Sequence, residues 1–178
     1  MRESGILMHI TSLPAPYGIG TMGKDAYAFV DFLVRAGQRY WQILPLTPTG
    51  YGDSPYQSLG ACAGNHYLID LDRLADEGLL KKEEIQNIPW GSNPARVDFG
   101  AMYAHRMNVL RQAFQRFTPD GAYETFVEQN RNWLEDYALF TALKDTLGGK
   151  PWLDWPEALR LRKADALTEK RRELSDEI

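Results

Sequence analysis

The segment from residue 5 to residue 44 sets out a strand, a helix and a second strand within about 40 residues, and that order leaves little topological freedom. Two strands joined by a helical crossover pair in parallel. Residues 5–10, GILMHI, are an apolar run closed by Thr11, Ser12 and the prolines at 14 and 16. They read as a short buried strand in which His9 is a packed residue. Ala26, Phe29, Val30 and Leu33 recur at i, i+3, i+4 and i+7, which predicts a helix over 24–36 with Gly37 as its stop. YWQIL at 40–44 supplies the second strand. Such units build doubly wound sheets or (β/α)8 barrels, and in both the ligand sits beyond the carboxyl ends of the strands.

A long loop dense in Gly, Pro, Ser and Tyr begins at that point, within the stretch Tyr40 to Asp70. It carries Tyr51, Asp53, Ser54, Tyr56, Gln57, Asn65, His66 and Tyr67. A polar, aromatic and nearly neutral surface suits an uncharged, hydroxyl-rich ligand, and sugars fit that description. Tyr51 and Tyr56 can stack on the apolar face of a sugar ring, while Asp53, Ser54, Gln57 and Asn65 can exchange hydrogen bonds with hydroxyls. The alternative is a tightly turned connection whose tyrosines are half-buried.

Other chemistries fit poorly. Twenty basic residues against 24 acidic ones give a net charge of −4, which disfavours nucleic acid as a partner. Cys62 is the only cysteine, so no intrachain disulfide is possible and a reducing compartment such as the cytoplasm is compatible. No stretch approaches a membrane span or a signal sequence. Gly18, Gly20 and Gly23 spell GxGxxG, but a loop separates them from the strand and no acidic residue lies about 20 positions on. They read as a turn that launches the helix. Gly52-Asp53-Ser54 resembles a lipase block without its partner motifs. His9, His66 and His105 show no metal-ligand spacing, and His105 reads as an exposed helix residue. Asp53 is the only carboxylate beside a strand end in a plausible cleft, and glycosyl transfer needs two.

Beyond Asp70 the sequence turns helical. Leu71, Leu74 and Ala75 suit a short helix stopped at Gly78, and KKEE at 81–84 a solvated turn of helix. Tyr103, Met107, Leu110, Phe114 and Phe117 predict the apolar face of an amphipathic helix. Thr118-Pro119 reads as an N-cap followed by proline at the first helical position. The next helix runs over 120–147 with Trp133, Tyr137 and Phe140 on one stripe and is ended by Gly148-Gly149 and Pro151; Pro156 starts another through Arg162. The charged, helix-prone residues from Leu167 close the chain. After 44 there is no further convincing strand, and two parallel strands do not make a stable sheet alone.

Several blocks resemble one family. GILMHITSLPAPYGIGTMG, AGQRYWQILPLTPTGYGDSPYQS, AGNHYLIDL, VDFGAMY and GGKPWLDWPEALRLR are similar, in order, to the N-terminal part of 4-alpha-glucanotransferases (amylomaltases or disproportionating enzymes) of the alpha-amylase-like glycoside hydrolase clan. YGDSPYQS after QILPLTPTG is the most specific of them. The family more often has AGNPYL where this chain has AGNHYL, and a bulkier aromatic near LGACAG, so Cys62 and His66 depart from its pattern.

The resemblance implies an α/β fold, the first two parallel strands of a (β/α)8 TIM-type barrel, with a mostly helical insertion. Residues 1–72 would start the barrel, 73–150 form a helical insertion and 151–178 lead back toward it. The implied activity is transfer of α-1,4-glucan segments between maltodextrin acceptors by a retaining double displacement, without metal or organic cofactor. Tyr56 would line the subsite next to the scissile bond with Asp53 and Ser54 nearby, and Tyr51 with Tyr103 would offer an outer stacking platform. Family chains are roughly three times as long, and their catalytic Asp, Glu and second Asp lie on later strands, so no catalytic residue is expected in this chain. A non-catalytic α-glucan-binding module and an inactive product are the alternatives.

Overall fold

The computed structural model describes residues 2–178 apart from 51, 94 and 95. The chain forms two compact units, residues 1–118 and 119–178.

In the first unit, β1 (Gly5–Leu7) and β2 (Tyr40–Gln42) pair in parallel with Ile6 opposite Trp41. The crossover between them is α1 (Lys24–Arg35), so the strand–helix–strand reading holds. Both strands are shorter than expected and neither is buried. Met8 N–H still donates to the Gln42 carbonyl at 3.0 Å, and residues 9 and 10 leave the sheet as the chain tightens into a 3-10 turn, Ile10–Ser12, before the prolines. Among the described residues each strand has one neighbour, so both keep an open edge and burial of their side chains is incomplete. Helix α1 packs by Leu33, with Ala26 and Phe29 partly covered, while Val30 on the same stripe is exposed.

Ile10, Leu13 and Leu68 make a small core where the strands end, joined by Phe29, Trp41 and Leu46. A larger core gathers Tyr17, Ile19, Tyr67, Leu71, Ile85, Trp90, Met102 and Val109. It is enclosed by α2 (Leu71–Asp76), α3 (Lys82–Gln86) and α4 (Phe99–Arg116). Asp70 caps α2 by accepting from the Arg73 N–H at 2.9 Å, which satisfies a donor that the helix start leaves open.

The buried face of α4 is Met102, Arg106, Val109 and Ala113. The expected stripe was one position later, and Tyr103, Met107 and Phe114 are exposed. Arg106 accounts for the offset. Its guanidinium is fully buried because it donates to the main-chain carbonyls of Tyr67, at 3.1 Å, and Ile69, and lies over the Trp90 ring at 5.8 Å. A positional pattern that scores arginine as surface turns this helix by one residue.

Glu84 ties α3 to α4. It accepts a two-pronged hydrogen bond from Arg116 at 2.6 and 2.7 Å and a third from the Lys81 N–H. The Arg116 bond, then the Lys81 N–H, pull its carboxyl down to about 2. An acid whose folded value is depressed stabilises the fold above its ordinary value and loses that contribution as the pH falls toward the folded one. Wild type is therefore expected to lose more stability between pH 4.5 and pH 2 than Glu84→Gln does, read as the shift in urea midpoint. Parallel pH profiles for the two would contradict it.

The second unit holds α5 (Gly121–Thr146), α6 (Glu157–Arg160) and α7 (Ala164–Glu173). The cap of α5 is Asp120, accepting from the Tyr123 N–H at 2.9 Å, and not Thr118. Helix α5 begins after Pro119 instead of at it, so the residue that is in place to cap is the next acid. Leu139, Leu143, Trp155, Leu159 and Leu167 form the core of this unit, with Phe140 stacked on Trp155 at 5.4 Å. Trp133 and Tyr137 on the expected stripe are only half-buried. Among the described residues no helix is long and apolar enough to cross a membrane.

Candidate functional site

The loop after β2 leaves the sheet at its carboxyl end and folds back on itself. Gly50 N–H donates to the Gln57 carbonyl at 2.8 Å, Thr49 bridges Ser58, and Asn65 N–H returns to the Leu46 carbonyl at 2.7 Å. These closures fix the ends, and the residues between them turn sharply. Asp53 sits at φ 56, a left-handed conformation that an aspartate tolerates better than most side chains. The turn continues through Gln57 N–H to the Ser54 carbonyl, and Ser54 Oγ accepts from the Tyr56 N–H.

Position 53 is held from outside the loop. Tyr103, on the exposed side of α4, donates its hydroxyl hydrogen bond to the Asp53 carboxylate across 50 residues of sequence. Burial, then this bond, raise the Tyr103 hydroxyl above the ordinary tyrosine range, so it remains a donor. The Tyr103 ring meets Tyr67 edge-on at 6.1 Å, and Tyr67 is buried in the large core. Loop, α4 and core are thus mechanically linked: Arg106, three residues after Tyr103, grips the backbone at 67 and 69, while Tyr103 grips position 53.

With Asp53 anchored, Tyr56 stands 72% exposed. An aromatic left this open on an ordered turn is available for stacking. Ser54 is half-buried and Gln57 exposed beside it. Asn65 lies apart, where its side chain accepts from the Tyr67 N–H at 2.9 Å and caps the 3-10 turn His66–Leu68. Tyr51 lies outside the described residues. So Asp53 and Tyr103 are brought together, Ser54, Tyr56 and Gln57 share their turn, and Asn65 serves first as a cap.

Two clefts open on this unit. One, of about 430 Å³, runs between the 11–20 segment and Trp90, Asn93 and Arg96. The other, of about 600 Å³, is lined by apolar Met22, Leu46, Leu68 and Leu74 together with Asn65 and His66 and the charged Asp70 and Arg73. Neither is lined by Asp53, Tyr56 or Tyr103, so the turn presents an open wall. His9 is half-buried with its Nδ1 buried and without a partner, and burial lowers its proton affinity; it follows β1 instead of lying in it. His105 is half-buried, edge-on to Trp90, where full exposure was expected. Among the described residues, no three His, Cys, Asp or Glu side chains converge as metal ligands would.

The GxGxxG segment serves packing. Gly23 abuts the Asp70 carboxylate, and Thr21 Oγ1 donates to the same group at 2.5 Å. Tyr17 donates to Asp72 at 2.6 Å. Tyr17, Thr21, Asp70 and Asp72 support the loop's exit without belonging to a motif. The signal that could have pointed to Asp70 is the preference of an acid for the position before a helix.

The described turn carries GDSPYQS at 52–58, and the pattern of one family runs along the chain with it: the 4-alpha-glucanotransferase family profile matches residues 8–178. The chain belongs to the 4-alpha-glucanotransferase family. It is 48% identical to the 4-alpha-glucanotransferase of Streptococcus pneumoniae (strain TIGR4), over 99% of this chain and 36% of that protein. Against the 4-alpha-glucanotransferase of Thermus thermophilus identity is 50%, over 99% and 36%. Among solved structures, the amylomaltase from Streptococcus agalactiae in complex with acarbose matches with a TM-score of 0.93 at 45% identity, covering 99% of this chain and 37% of that one. The chain spans about a third of the length of these 4-alpha-glucanotransferases.

Proposed function

We propose that this chain supplies one wall of an α-1,4-glucan subsite in a 4-alpha-glucanotransferase. The observation that carries this reading is the Asp53–Tyr103 hydrogen bond, which holds the turn so that Tyr56 projects. A sugar ring stacks on Tyr56, and Ser54, Gln57 and the Asp53 carboxylate receive or donate hydrogen bonds to its hydroxyls. Tyr51 and Tyr103 extend the platform for a longer chain, and Asn65 sits at its edge. In this reading residues 1–72 are the start of a (β/α)8 barrel, 73–150 a helical insertion and 151–178 the return toward it. The whole enzyme moves α-1,4-glucan segments between maltodextrin acceptors in the cytoplasm, with retention and without a cofactor.

Glycosyl transfer with retention requires a nucleophilic carboxylate and an acid/base carboxyl about 5 Å apart. The turn offers Asp53 alone, and that carboxylate is engaged by Tyr103. Binding without chemistry follows. Incubated with maltotriose, the 178-residue chain is expected to release no glucose and to form no longer maltodextrin; either product would overturn the assignment of the catalytic groups to other segments.

Calorimetric titration with maltoheptaose tests the wall itself. A dissociation constant on the order of a few millimolar is expected for one open wall, with Tyr56→Ala weakening it about tenfold, the loss of one stacking contact. Equal binding by wild type and Tyr56→Ala would remove Tyr56 from the subsite.

A further inference from the structure

Among the described residues, the buried side-chain nitrogens and oxygens without a hydrogen-bond partner are Nε and Nη1 of Arg106, Oγ1 of Thr47 and Nδ1 of His9. The Arg106 pair belongs to a guanidinium already held by two carbonyls. The other two follow the strands, His9 after β1 and Thr47 after β2, at the end of the sheet from which the 50–58 turn leaves. Buried polar groups are as a rule paired, so an orphan asks for a reason. Thr47 has one side-chain polar atom, and it is enclosed. His9 has a second, Nε2, which carries no protein hydrogen bond and is not sealed off. Alternation along the strand says which way the ring points. Met8 packs with Phe29 and Trp41 on the α1 side of the sheet. His9 has left the ladder but is still extended, at φ −73 and ψ 148, so its side chain points to the opposite side. Ligands of parallel α/β sheets sit beyond the carboxyl ends of the strands, where this ring lies.

A neutral imidazole has one N–H and one bare nitrogen, and which is which depends on what each can reach. A proton on Nδ1 would be a buried donor without an acceptor, the rarer of the two defects in folded proteins. On Nε2 the same proton finds water or a ligand. Burial also lowers the proton affinity of the ring, which keeps it neutral at neutral pH. We propose that His9 is a further glucan-binding residue, whose Nε2–H donates a hydrogen bond to a hydroxyl oxygen of an α-1,4-glucan lying against the 52–57 turn. This rests on the glucan subsite proposed above and adds the neighbouring strand end to it. The Asp53 carboxylate only accepts, so a fixed donor on β1 complements it.

The test is a titration of the isotope-labelled full chain with maltoheptaose, read on the histidine ring nitrogens. The ring is the probe because the His9 carbonyl is held by the Ser12 N–H at 3.0 Å, so the backbone there stays in place. Before sugar is added, His9 is expected as the Nε2–H tautomer. With sugar, its Nε2 signal should move saturably, with the same dissociation constant as residues 52–57. Two substitutions separate the ring nitrogens, since a glutamine amide reaches about where Nε2 lies and an asparagine amide about where Nδ1 lies. His9→Gln should hold maltoheptaose affinity within about twofold, and His9→Asn should weaken it about three- to tenfold, the worth of one neutral hydrogen bond. An Nδ1–H tautomer overturns the assignment. So does a His9 ring that stays still while residues 52–57 shift, or equal affinity of the two variants; each of these leaves the turn standing as a glucan wall. No shift at either place counts against the proposed function, and the role of His9 falls with it. Where a variant fails to fold, the tautomer and the ring shift of the wild type decide.

Discussion

Gly20→Ala is expected to lower the unfolding midpoint of residues 1–118 by about 10 °C or more, equivalent to about 3 kcal/mol. A β-carbon at this position would press into the Ile10 carbonyl oxygen and come within 2.8 Å of the Leu13 oxygen and 2.9 Å of the Leu13 nitrogen. All three are backbone atoms of the 3-10 turn Ile10–Ser12 and of Leu13, which caps it, so no side chain can swing away to make room. Gly20 N–H itself donates to the Thr11 carbonyl at 3.1 Å, which locks the two segments together. Overpacking of this kind costs one to several kcal/mol where the neighbours cannot yield. Gly64→Ala is the control, because a β-carbon there meets nothing within 4 Å and the backbone needs no positive φ. It should change stability by no more than about 0.5 kcal/mol. Similar midpoints for the two variants, followed by differential scanning calorimetry, would refute the close approach of the 11–13 and 20 segments.

Arg106→Ala is expected to cost about 3–5 kcal/mol, the sum of two hydrogen bonds from a charged donor and a cavity in the core. Opposing this is the cost of burying a cation. Desolvation draws the Arg106 guanidinium down to about 10, against a smaller opposing pull from Asp70, so it stays protonated at neutral pH and that cost is present there. Its Nε and Nη1 are buried without protein partners. The hydrogen bonds still win, because truncation would leave the Tyr67 and Ile69 carbonyls without their donor. Arg106→Met sheds the desolvation cost and keeps most of the volume, so it should be less harmful than Arg106→Ala. Arg106→Ala should also weaken maltoheptaose binding, since the backbone it grips carries Tyr67, on which Tyr103 and then Asp53 rest. Urea unfolding of the three proteins orders them; equal stability of wild type and Arg106→Ala would show that the buried cation contributes nothing net.

The elements read well from sequence are those whose pattern is local. Helix α1 follows from the spacing of Ala26, Phe29 and Leu33, and the parallel pairing of β1 and β2 follows from the crossover between them. Helix α4 shows the limit. Tyr103, Met107 and Phe114 are large and apolar enough to be read as core, yet the face that is buried has Ala113 and the charged Arg106 on it. Hydropathy cannot assign arginine to an interior, because what brings it in is a pair of carbonyls more than 35 residues away in the chain. The same holds at the site. Asp53, Ser54, Tyr56 and Gln57 were legible as a polar aromatic turn, and Tyr103 through family resemblance. The bond from Tyr103 to Asp53, which makes the turn a fixed surface, is a tertiary contact without a local signal. Asn65 adds a local task that its residue type alone does not announce, since its side chain caps a turn of its own backbone.

The most direct measurement of the central claim is a titration of isotope-labelled chain with maltoheptaose, followed by backbone and tyrosine chemical shifts. The expected result is a set of saturable shifts confined to residues 52–57 and Tyr103, abolished by Tyr56→Ala and absent with a β-1,4-linked glucan of the same length. Shifts that spread evenly over both units, or none at millimolar sugar, would contradict a glucan-binding wall built on this turn.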